Sequence, residues 1–277
     1  MRMAALAMLA LLLPARGWAW PWSPRPLPPA VKQEWNAHWR NRIYCLRGFW
    51  RGLDLKYSAG GRLLSHPQHS DWTLAWIRLI SLGYTGKQLK INGDWIGLAH
   101  FGGPPRLSRY NLHHTRTIAI QLAGQTPTAG MLQRLRQRIF VQEGTEMATA
   151  LPAVWRDFYE NPEFFKPDEK KFKICAKNPS CPNHKIQDPQ MLYDPNPNYN
   201  PIARAAGLQG QESFWATVGV DGKLHHLRIF KPLGLGLDEA AMGAMRKWRL
   251  RPARQGGKPV AVKAKISISF HLYNPNN

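Results

Sequence analysis

The three cysteines are the residues in this sequence with the most obvious chemistry. Cys175 and Cys181 are separated by five residues, and such a pair forms a disulfide by default in an oxidising compartment. A metal site would need His184 as a third ligand, but that spacing matches no common zinc site. We therefore predict a disulfide between Cys175 and Cys181, with Cys45 as the odd cysteine, either buried or without a disulfide partner.

Two adjacent histidine pairs, His113-His114 and His225-His226, are the next candidates for chemistry. Each pair falls in a predicted strand, where neighbouring side chains point to opposite faces, so neither pair can readily chelate one ion. The sequence contains no nucleophile elbow, phosphate loop or zincin motif. We therefore predict a protein that is not an enzyme, with no catalytic residue, no metal site and no cofactor.

The first 19 residues predict export. Arg2 precedes an apolar run at residues 3–13, and small residues follow up to Ala19, which is the layout of a secretory signal peptide. The alternative is an uncleaved anchor, but a membrane-spanning helix needs about 20 apolar residues. We predict cleavage after Ala19, a periplasmic location and no stable membrane span in the mature protein.

The C-terminal part of the sequence predicts a small α+β unit. Residues 213–220 and 260–272 alternate between apolar and polar side chains, as half-buried strands do. Asp221-Gly222 is a hairpin signal, and residues 224–230 provide the returning strand. Residues 237–248 carry apolar side chains at spacings of three and four, which predicts an amphipathic helix on one face of an antiparallel sheet.

An ordered series of short motifs runs through the same region. The motifs are Pro201, Ala203-Arg204, Ala206-Gly207, Gln209-Gly210, Asp221-Gly222, Leu237-Asp238-Glu239-Ala240-Ala241, Trp248-Arg249, Arg251-Pro252-Ala253 and Gly257-Lys258-Pro259. In this order they resemble the C-terminal domain of TonB-type energy transducers. The resemblance covers roughly the last quarter of the chain and implies an outer-membrane receptor, or another envelope protein, as the partner.

The resemblance also implies a binding site. Proteins of this kind bind an extended receptor segment as an added strand, and an edge strand offers the open N–H and C=O groups for it. The last strand is the expected platform, and Arg204 could meet an acidic residue of the partner. The expected partner-binding residues are Arg204, Val260, Val262, Lys263, Ala264, Lys265, Ile266, Ile268 and Phe270.

These observations divide the chain into five parts. A signal peptide at 1–19 is followed by a Pro-rich segment at 20–30, an α+β domain of unknown type at 31–145, a connector at 146–199 and the TonB-like domain at 200–273. The connector is rich in Pro, Asn, Asp and Lys and would carry the disulfide.

Within the N-terminal region, three elements can be predicted in more detail. We expect a helix at 70–83 capped by Ser70-Asp71, a strand at 89–101 broken by a turn at Asn92-Gly93, and a helix at 128–142.

The charge of the chain favours anionic partners. Its 38 Lys and Arg residues outnumber 17 Asp and Glu residues, for a net charge of +21 and a pI near 10.4. No nucleic-acid reader motif is present, so nucleic acid is not expected. The alternative function is an envelope protein that binds anionic cell-wall polymer or lipid headgroups through basic and aromatic surfaces. The charge could also simply be spread over solvated faces.

The tryptophans allow two interpretations. They could form a sugar-stacking surface, but their helical and strand spacings favour core positions. The residues concerned are Trp35, Trp39, Trp50, Trp72, Trp76 and Trp95. The sequence does not indicate an oligomeric state.

Overall fold

A computed structural model describes residues 24–69, 71–102, 106–141, 144–160 and 186–272. Ala19, Cys175 and Cys181 lie outside these residues, so the signal peptide and the disulfide stay predictions. Cys45 is buried. Within the described ranges, no helix has the length and apolar character needed to cross a membrane.

The N-terminal unit is built on a six-stranded mixed sheet. The strand order is β3-β7-β6-β5-β1-β8, antiparallel except for the parallel pair β3 and β7. Helices α1 and α2 pack on one face of this sheet through the shared apolar core. The elements are α1 (Pro29–His38), β1 (Ile43–Leu46), β2 (Trp50–Arg51), β3 (Asp54–Ser58), β4 (Gln68–His69), β5 (Trp76–Tyr84), β6 (Gln88–Ala99), β7 (Ser108–Gln121), α2 (Ala129–Ile139), β8 (Phe140–Val141), α3 (Thr145–Ala150) and α4 (Ala153–Glu160).

The predicted helix at 128–142 is confirmed as α2, although it is shorter. Thr128 caps it, since its hydroxyl accepts a hydrogen bond from the Met131 amide at 3.1 Å. Five of the six tryptophans named in the sequence analysis are core residues, as their spacing favoured. Trp35, Trp39, Trp72, Trp76 and Trp95 are buried, whereas Trp50 is half-buried.

The predicted helix at 70–83 is wrong. Asp71 does cap a turn, because its carboxylate accepts from the Thr73 amide at 2.6 Å, but that turn is a single 3-10 turn at Trp72–Leu74. The chain then enters β5, which pairs with β1 on one side and β6 on the other. Backbone pairing on both sides outweighs a weak local helix preference.

The predicted break at Asn92-Gly93 is also wrong, because β6 continues through both residues. A Cβ atom on Gly93 would lie 2.1 Å from the carbonyl oxygen of Arg78 in β5. The glycine therefore permits close approach of two strands instead of forming a turn.

The C-terminal unit is a three-stranded antiparallel sheet of order β12-β11-β16, with α6 packed on one face. The predicted α+β fold class is confirmed. The elements are β9 (Ile186–Gln187), β10 (Gln190–Tyr193), α5 (Pro201–Ala205), β11 (Gly210–Val218), β12 (Leu224–Lys231), α6 (Leu237–Met245), β13 (Arg249–Arg251), β14 (Ala253–Gln255), β15 (Lys258–Val260) and β16 (Val262–Phe270).

Parts of the predicted connector at 146–199 belong to these elements. Helices α3 and α4 bury apolar side chains, including Trp155 and Phe158, in the core that includes α6. Strand β9 pairs with β14, and β10 pairs with β13. The five-part division of the chain stays a prediction.

The two units share one apolar core and are joined by backbone hydrogen bonds. The Leu235 amide donates to the Leu98 carbonyl at 3.0 Å, and the His100 amide donates to the Leu233 carbonyl at 2.8 Å. Between them, Gly234 has a φ of +88°, and a Cβ atom there would lie 2.1 Å from the Leu98 oxygen. The loop between β12 and α6 thus docks on the end of β6, so the C-terminal unit is held against the N-terminal unit.

Candidate functional site

The outer edge of β16 is the candidate binding site. Strand β16 pairs with β11 along its whole length, from Val262 opposite Val218 to Phe270 opposite Gly210. Strand β12 occupies the other side of β11, so β16 is an edge strand. No strand in the described part of the chain pairs with its second edge. Such an edge presents alternate N–H and C=O groups that another extended chain can bind.

The two faces of β16 differ in the way that the alternation predicted. Ile268 and Phe270 are buried against α6 and β11, and Ile266 packs on the same core. Lys263 and Lys265 are exposed on the opposite face. The apolar face therefore fixes the strand in place, and the exposed face carries two positive charges beside the open edge.

Lys265 rests on an aromatic pair of that exposed face. Its ammonium lies 5.3 Å from the ring centroid of Phe230, which stacks on Trp215 at 5.3 Å. This contact keeps the ammonium near the sheet surface, because a cation is attracted to the face of an aromatic ring.

Arg204 lies at the Phe270 end of the edge strand. Its guanidinium sits 5.1 Å from the Tyr199 ring, and that ring contacts Phe270 with centroids 5.4 Å apart. Burial raises the pKa of the Tyr199 hydroxyl, which donates a hydrogen bond to the Leu208 carbonyl oxygen. These aromatic contacts hold Arg204 at one end of β16, the strand predicted from the sequence as the binding platform.

The structure divides the strand expected at 260–272. Val260 ends β15, which forms a hairpin with β14, and β16 begins at Val262. Val260 therefore lies beyond the β11–β16 ladder, while Val262, Lys263, Ala264, Lys265, Ile266, Ile268 and Phe270 all lie on it.

The other edge strand, β12, contacts the N-terminal region. Helix α4 packs along it, with Trp155 and Phe158 in the same core as Ile229. Trp155 also donates its Nε1–H to the Glu239 carboxyl at 2.8 Å. The two edges of the C-terminal sheet thus differ: α4 packs along β12, whereas no strand in the described ranges pairs with the outer edge of β16.

Four carboxyl groups meet where the two units join. Asp71 comes from the N-terminal unit, and Glu212, Asp238 and Glu239 come from β11 and α6. Asp71, Glu212 and Asp238 are buried. The carboxyl of Asp71 interacts with that of Glu239, and the carboxyl of Glu212 with that of Asp238. Two carboxyls that lie this close in a buried site cannot both be charged, so each pair favours holding a proton.

Burial raises the pKa of all four carboxyls, because the charged form loses its hydration. The pKa of Asp238 is raised to about 7, and those of Glu212 and Glu239 are well above their ordinary value. The Asp238 carboxyl also accepts from the amides of Leu233 at 2.9 Å and Gly234 at 2.7 Å. This carboxyl cluster therefore anchors the loop that docks on β6.

Sequence reasoning missed the carboxyl cluster. It placed Asp238 and Glu239 in the helix predicted at 237–248, and Asp71 at the cap of another predicted helix. Glu212 offered a usable signal, because alternation places it on the same face of β11 as the apolar residues Phe214 and Ala216. A carboxylate on the buried face of a strand indicates a buried polar contact.

Arg116 is a second buried charge that the sequence did not indicate. Its guanidinium lies 4.6 Å from the Trp95 ring centroid and donates to the carbonyl oxygens of Leu74 and Trp76 at 3.3 and 3.4 Å. Burial lowers its pKa to about 9. Arg116 therefore links β7 to the 3-10 turn that Asp71 caps.

The histidine pairs lie apart from the carboxyl cluster. His113 faces Tyr110 and His114 faces Trp95, beside a cavity of about 430 Å³ between β7 and α5. His225 is paired with Asp221 at 3.0 Å. Across the described residues, no group of three His, Cys, Asp or Glu side chains is arranged to hold a metal ion.

Comparisons with known proteins concern the last part of the chain. The family model "Gram-negative bacterial TonB protein C-terminal" matches residues 195–272. Protein TonB of Xanthomonas campestris pv. campestris, in strains B100 and ATCC 33913, is 31% identical over 77 residues, which make up 27% of this chain and 34% of that protein. The chain thus spans about a third of the length of the curated relatives it matches.

A solved structure matches the same part of the chain. The solution NMR structure of the Pseudomonas aeruginosa TonB CTD has 26% sequence identity and a TM-score of 0.27, and it covers 34% of this chain and 92% of that chain.

Proposed function

We propose that this protein binds an extended segment of an outer-membrane receptor, or of another envelope protein, by strand addition. The proposal starts from residues 195–272, which form a TonB C-terminal domain. The observation that carries the proposal is the open edge of β16, whose partner strand β11 is already paired on both sides. The TonB C-terminal family is non-enzymatic. We accordingly assign the chain a binding role, which includes participation in TonB-dependent transport.

The charges around the edge favour an acidic partner segment. Lys263 and Lys265 are exposed beside the open edge, and Arg204 stands at its end. In strand addition the backbone hydrogen bonds supply most of the affinity, and side chains select the sequence. We therefore propose a partner peptide of about nine residues, matching the length of β16, with acidic side chains on the face that meets the lysines.

Binding of synthetic peptides tests the proposal. The probes are N-terminal peptides of outer-membrane receptors, each also made with alternate backbone amides methylated in either of two phases. Only one phase of amides points at β16. One methylated series should bind about 100-fold more weakly, since it loses several backbone hydrogen bonds, and the other should bind within about fivefold of the parent. Equal binding by both methylated series would exclude strand addition.

Protein variants and salt provide the controls. Lys263→Glu with Lys265→Glu should weaken binding of acidic peptides, whereas Lys87→Glu with Lys90→Glu, on exposed positions of the N-terminal unit, should not. Binding by strand addition should persist at high ionic strength, because hydrogen bonds of the ladder are screened little. The alternative function, binding of anionic cell-wall polymer, should be lost under the same conditions.

We further propose that the protein is exported to the periplasm and cleaved after Ala19, as the sequence predicts. The intact mass of the protein recovered from a bacterial periplasm should correspond to a chain that begins at Trp20. A membrane-bound species that retains Met1 would instead show that the apolar run serves as an anchor.

A further inference from the structure

The ribbon formed by β10 and β13 is an unusual surface of the C-terminal unit. The two short strands pair with Gln190 opposite Arg251, Met191 opposite Leu250, and Tyr193 opposite Arg249. All four residues of β10 are exposed, so both of its faces lie in solvent. This ribbon lies apart from the three-stranded sheet that carries the β16 edge.

The exposed residues of the ribbon are large and apolar. Met191 is 43% exposed, Leu192 is 61% exposed and Tyr193 is 56% exposed. Val220, in the turn between β11 and β12, is 57% exposed. That turn adjoins the ribbon, because the Leu250 amide donates to the Gly222 carbonyl at 2.9 Å. These four residues, on the ribbon and in the turn that is hydrogen-bonded to it, expose apolar surface outside the described cores, and exposed apolar surface of this kind is typical of an interaction site.

Five exposed cations lie on β13 or on the segments next to the ribbon and the turn. Arg246 and Lys247 follow α6, Arg249 and Arg251 flank Leu250 in β13, and Lys223 follows the turn that carries Val220. Among the described residues, none of these five cations forms an ion pair with a carboxylate. Arg249 instead donates to the carbonyl oxygens of Lys247 and Trp248, just after α6, and Arg251 donates to the Gln190 side chain.

Three carboxylates lie in the same region, against five cations. Asp188 precedes β10, Asp194 follows it, and both are exposed. Asp221 forms its ion pair with His225 at 3.0 Å. The surface therefore carries a net positive charge beside its exposed apolar side chains. We call the exposed residues Met191, Leu192, Tyr193 and Val220, together with these five cations, the basic ribbon.

We propose that the basic ribbon binds the surface of an anionic lipid bilayer. The apolar side chains would enter the interface between headgroups and acyl chains, and the cations would contact phosphate groups. An anionic polysaccharide would use the cations but would leave the exposed aliphatic side chains of Met191, Leu192 and Val220 without a role. Charge complementarity and exposed apolar area together thus favour lipid over polymer.

This interaction would be peripheral. The ribbon is anchored to the folded unit, since the Trp248 Nε1–H donates to the Pro195 carbonyl oxygen at 3.3 Å, just beyond β10. Its short length limits insertion to a few side chains. Binding to lipid leaves the β16 edge available, because the ribbon contributes no residue to the β11–β16 ladder. The inference does not depend on strand addition.

Vesicle flotation of the full chain tests this inference. The vesicles contain phosphatidylethanolamine with phosphatidylglycerol, or phosphatidylcholine alone as the neutral comparison. The protein should float with the anionic vesicles at low salt and not with the neutral ones. Leu192→Ser should weaken flotation about tenfold, and Leu53→Ser, at another exposed leucine in the N-terminal unit, should leave flotation unchanged.

A second pair of variants separates charge from apolar contact. Removing Arg246 and Lys247 as Arg246→Gln and Lys247→Gln should weaken flotation about fivefold for each cation. The control removes two exposed lysines elsewhere, as Lys87→Gln and Lys90→Gln. If Lys87→Gln and Lys90→Gln weaken flotation less than Arg246→Gln and Lys247→Gln do, the basic ribbon is the lipid-binding surface. An equal effect of the two pairs would show that net charge alone drives binding, and it would overturn the inference.

Self-association is the other outcome that would overturn it. If Leu192→Ser abolishes a dimer in analytical ultracentrifugation while flotation stays unchanged, the ribbon is a contact between copies of this chain. Thermal unfolding of each variant should match the parent protein, because all the substituted side chains are exposed.

Discussion

Raising the pH from about 5 to about 8 should destabilise this protein, which is the reverse of the usual dependence for proteins with paired surface carboxylates. The cause is the carboxyl cluster of Asp71, Glu212, Asp238 and Glu239 at the junction of the two units. Burial raises the pKa of all four above the values expected in the unfolded chain.

The direction follows from proton binding. Between the unfolded and folded pKa values, the folded protein holds protons that the unfolded chain has released. The stabilisation is therefore complete below about pH 4, the ordinary pKa of a carboxyl, and it is lost as pH rises through the folded pKa, which is about 7 for Asp238. The raised pKa values of Glu212 and Glu239 add to this loss.

The free energy of unfolding should fall by about 2–4 kcal/mol across this range, since one pKa unit corresponds to about 1.4 kcal/mol and the four groups share their protons. Urea unfolding at a series of pH values measures this slope. Glu212→Gln should flatten the slope, because the amide can donate to Asp238 at every pH. Asp54→Asn, at an exposed carboxylate, is the matched control and should not change it.

A stability that rises with pH in the parent protein would contradict this account of the cluster. So would an unchanged slope in Glu212→Gln, because the titrating protons would then reside elsewhere. The comparison of Glu212→Gln with Asp54→Asn separates protons held by the cluster from those held elsewhere in the chain.

Asp238→Ala should cost about 3–5 kcal/mol of folding free energy, the largest effect we expect from a single substitution. The carboxyl of Asp238 is fully buried and accepts hydrogen bonds from the Leu233 and Gly234 amides. Alanine leaves both buried amides without this acceptor and opens space beside Glu212.

The lost hydrogen bonds also hold the docking loop. The Leu235 amide donates to Leu98 in β6, and the Leu233 carbonyl accepts from His100 just after β6, so loosening this loop weakens the contact between the two units. Hydrogen exchange at the Leu233 and Gly234 amides should become faster in Asp238→Ala than in the parent protein. Urea unfolding gives the total loss of stability.

Two substitutions serve as controls for this prediction. Asp238→Asn keeps the volume and one acceptor oxygen, so it should lose less than half as much stability as Asp238→Ala. Asp54→Ala changes an exposed residue and should alter stability by less than about 0.5 kcal/mol. A loss below about 1 kcal/mol for Asp238→Ala would show that the cluster does not anchor the loop.

The carboxyl cluster bears on how the proposed binding edge is presented. The C-terminal unit shares its core with α4 and with the N-terminal sheet, so it is held by more than a linker. Strand β12 faces α4, while β16 keeps an open edge. The N-terminal region thus positions the edge, and loosening the junction by pH or by Asp238→Ala should affect where the edge points.

The sequence by itself determined the elements whose signals are local. The alternation of residues 213–220, the Asp221-Gly222 turn and the helix spacing from Leu237 predicted β11, the hairpin and α6. These signals suffice because each residue pattern matches the period of its own element and one buried face. The ordered motifs of the same region also indicated the TonB C-terminal domain that the comparisons identify.

Only the tertiary structure decided the features that depend on distant partners. Strand β5 formed where a capped helix was expected, because β1 and β6 supply hydrogen bonds on both sides. Glu212 and Asp71 are far apart in the sequence, and their shared burial depends on how the units dock. No local pattern encodes that contact, since the free energy of a buried carboxyl is set by the groups that surround it.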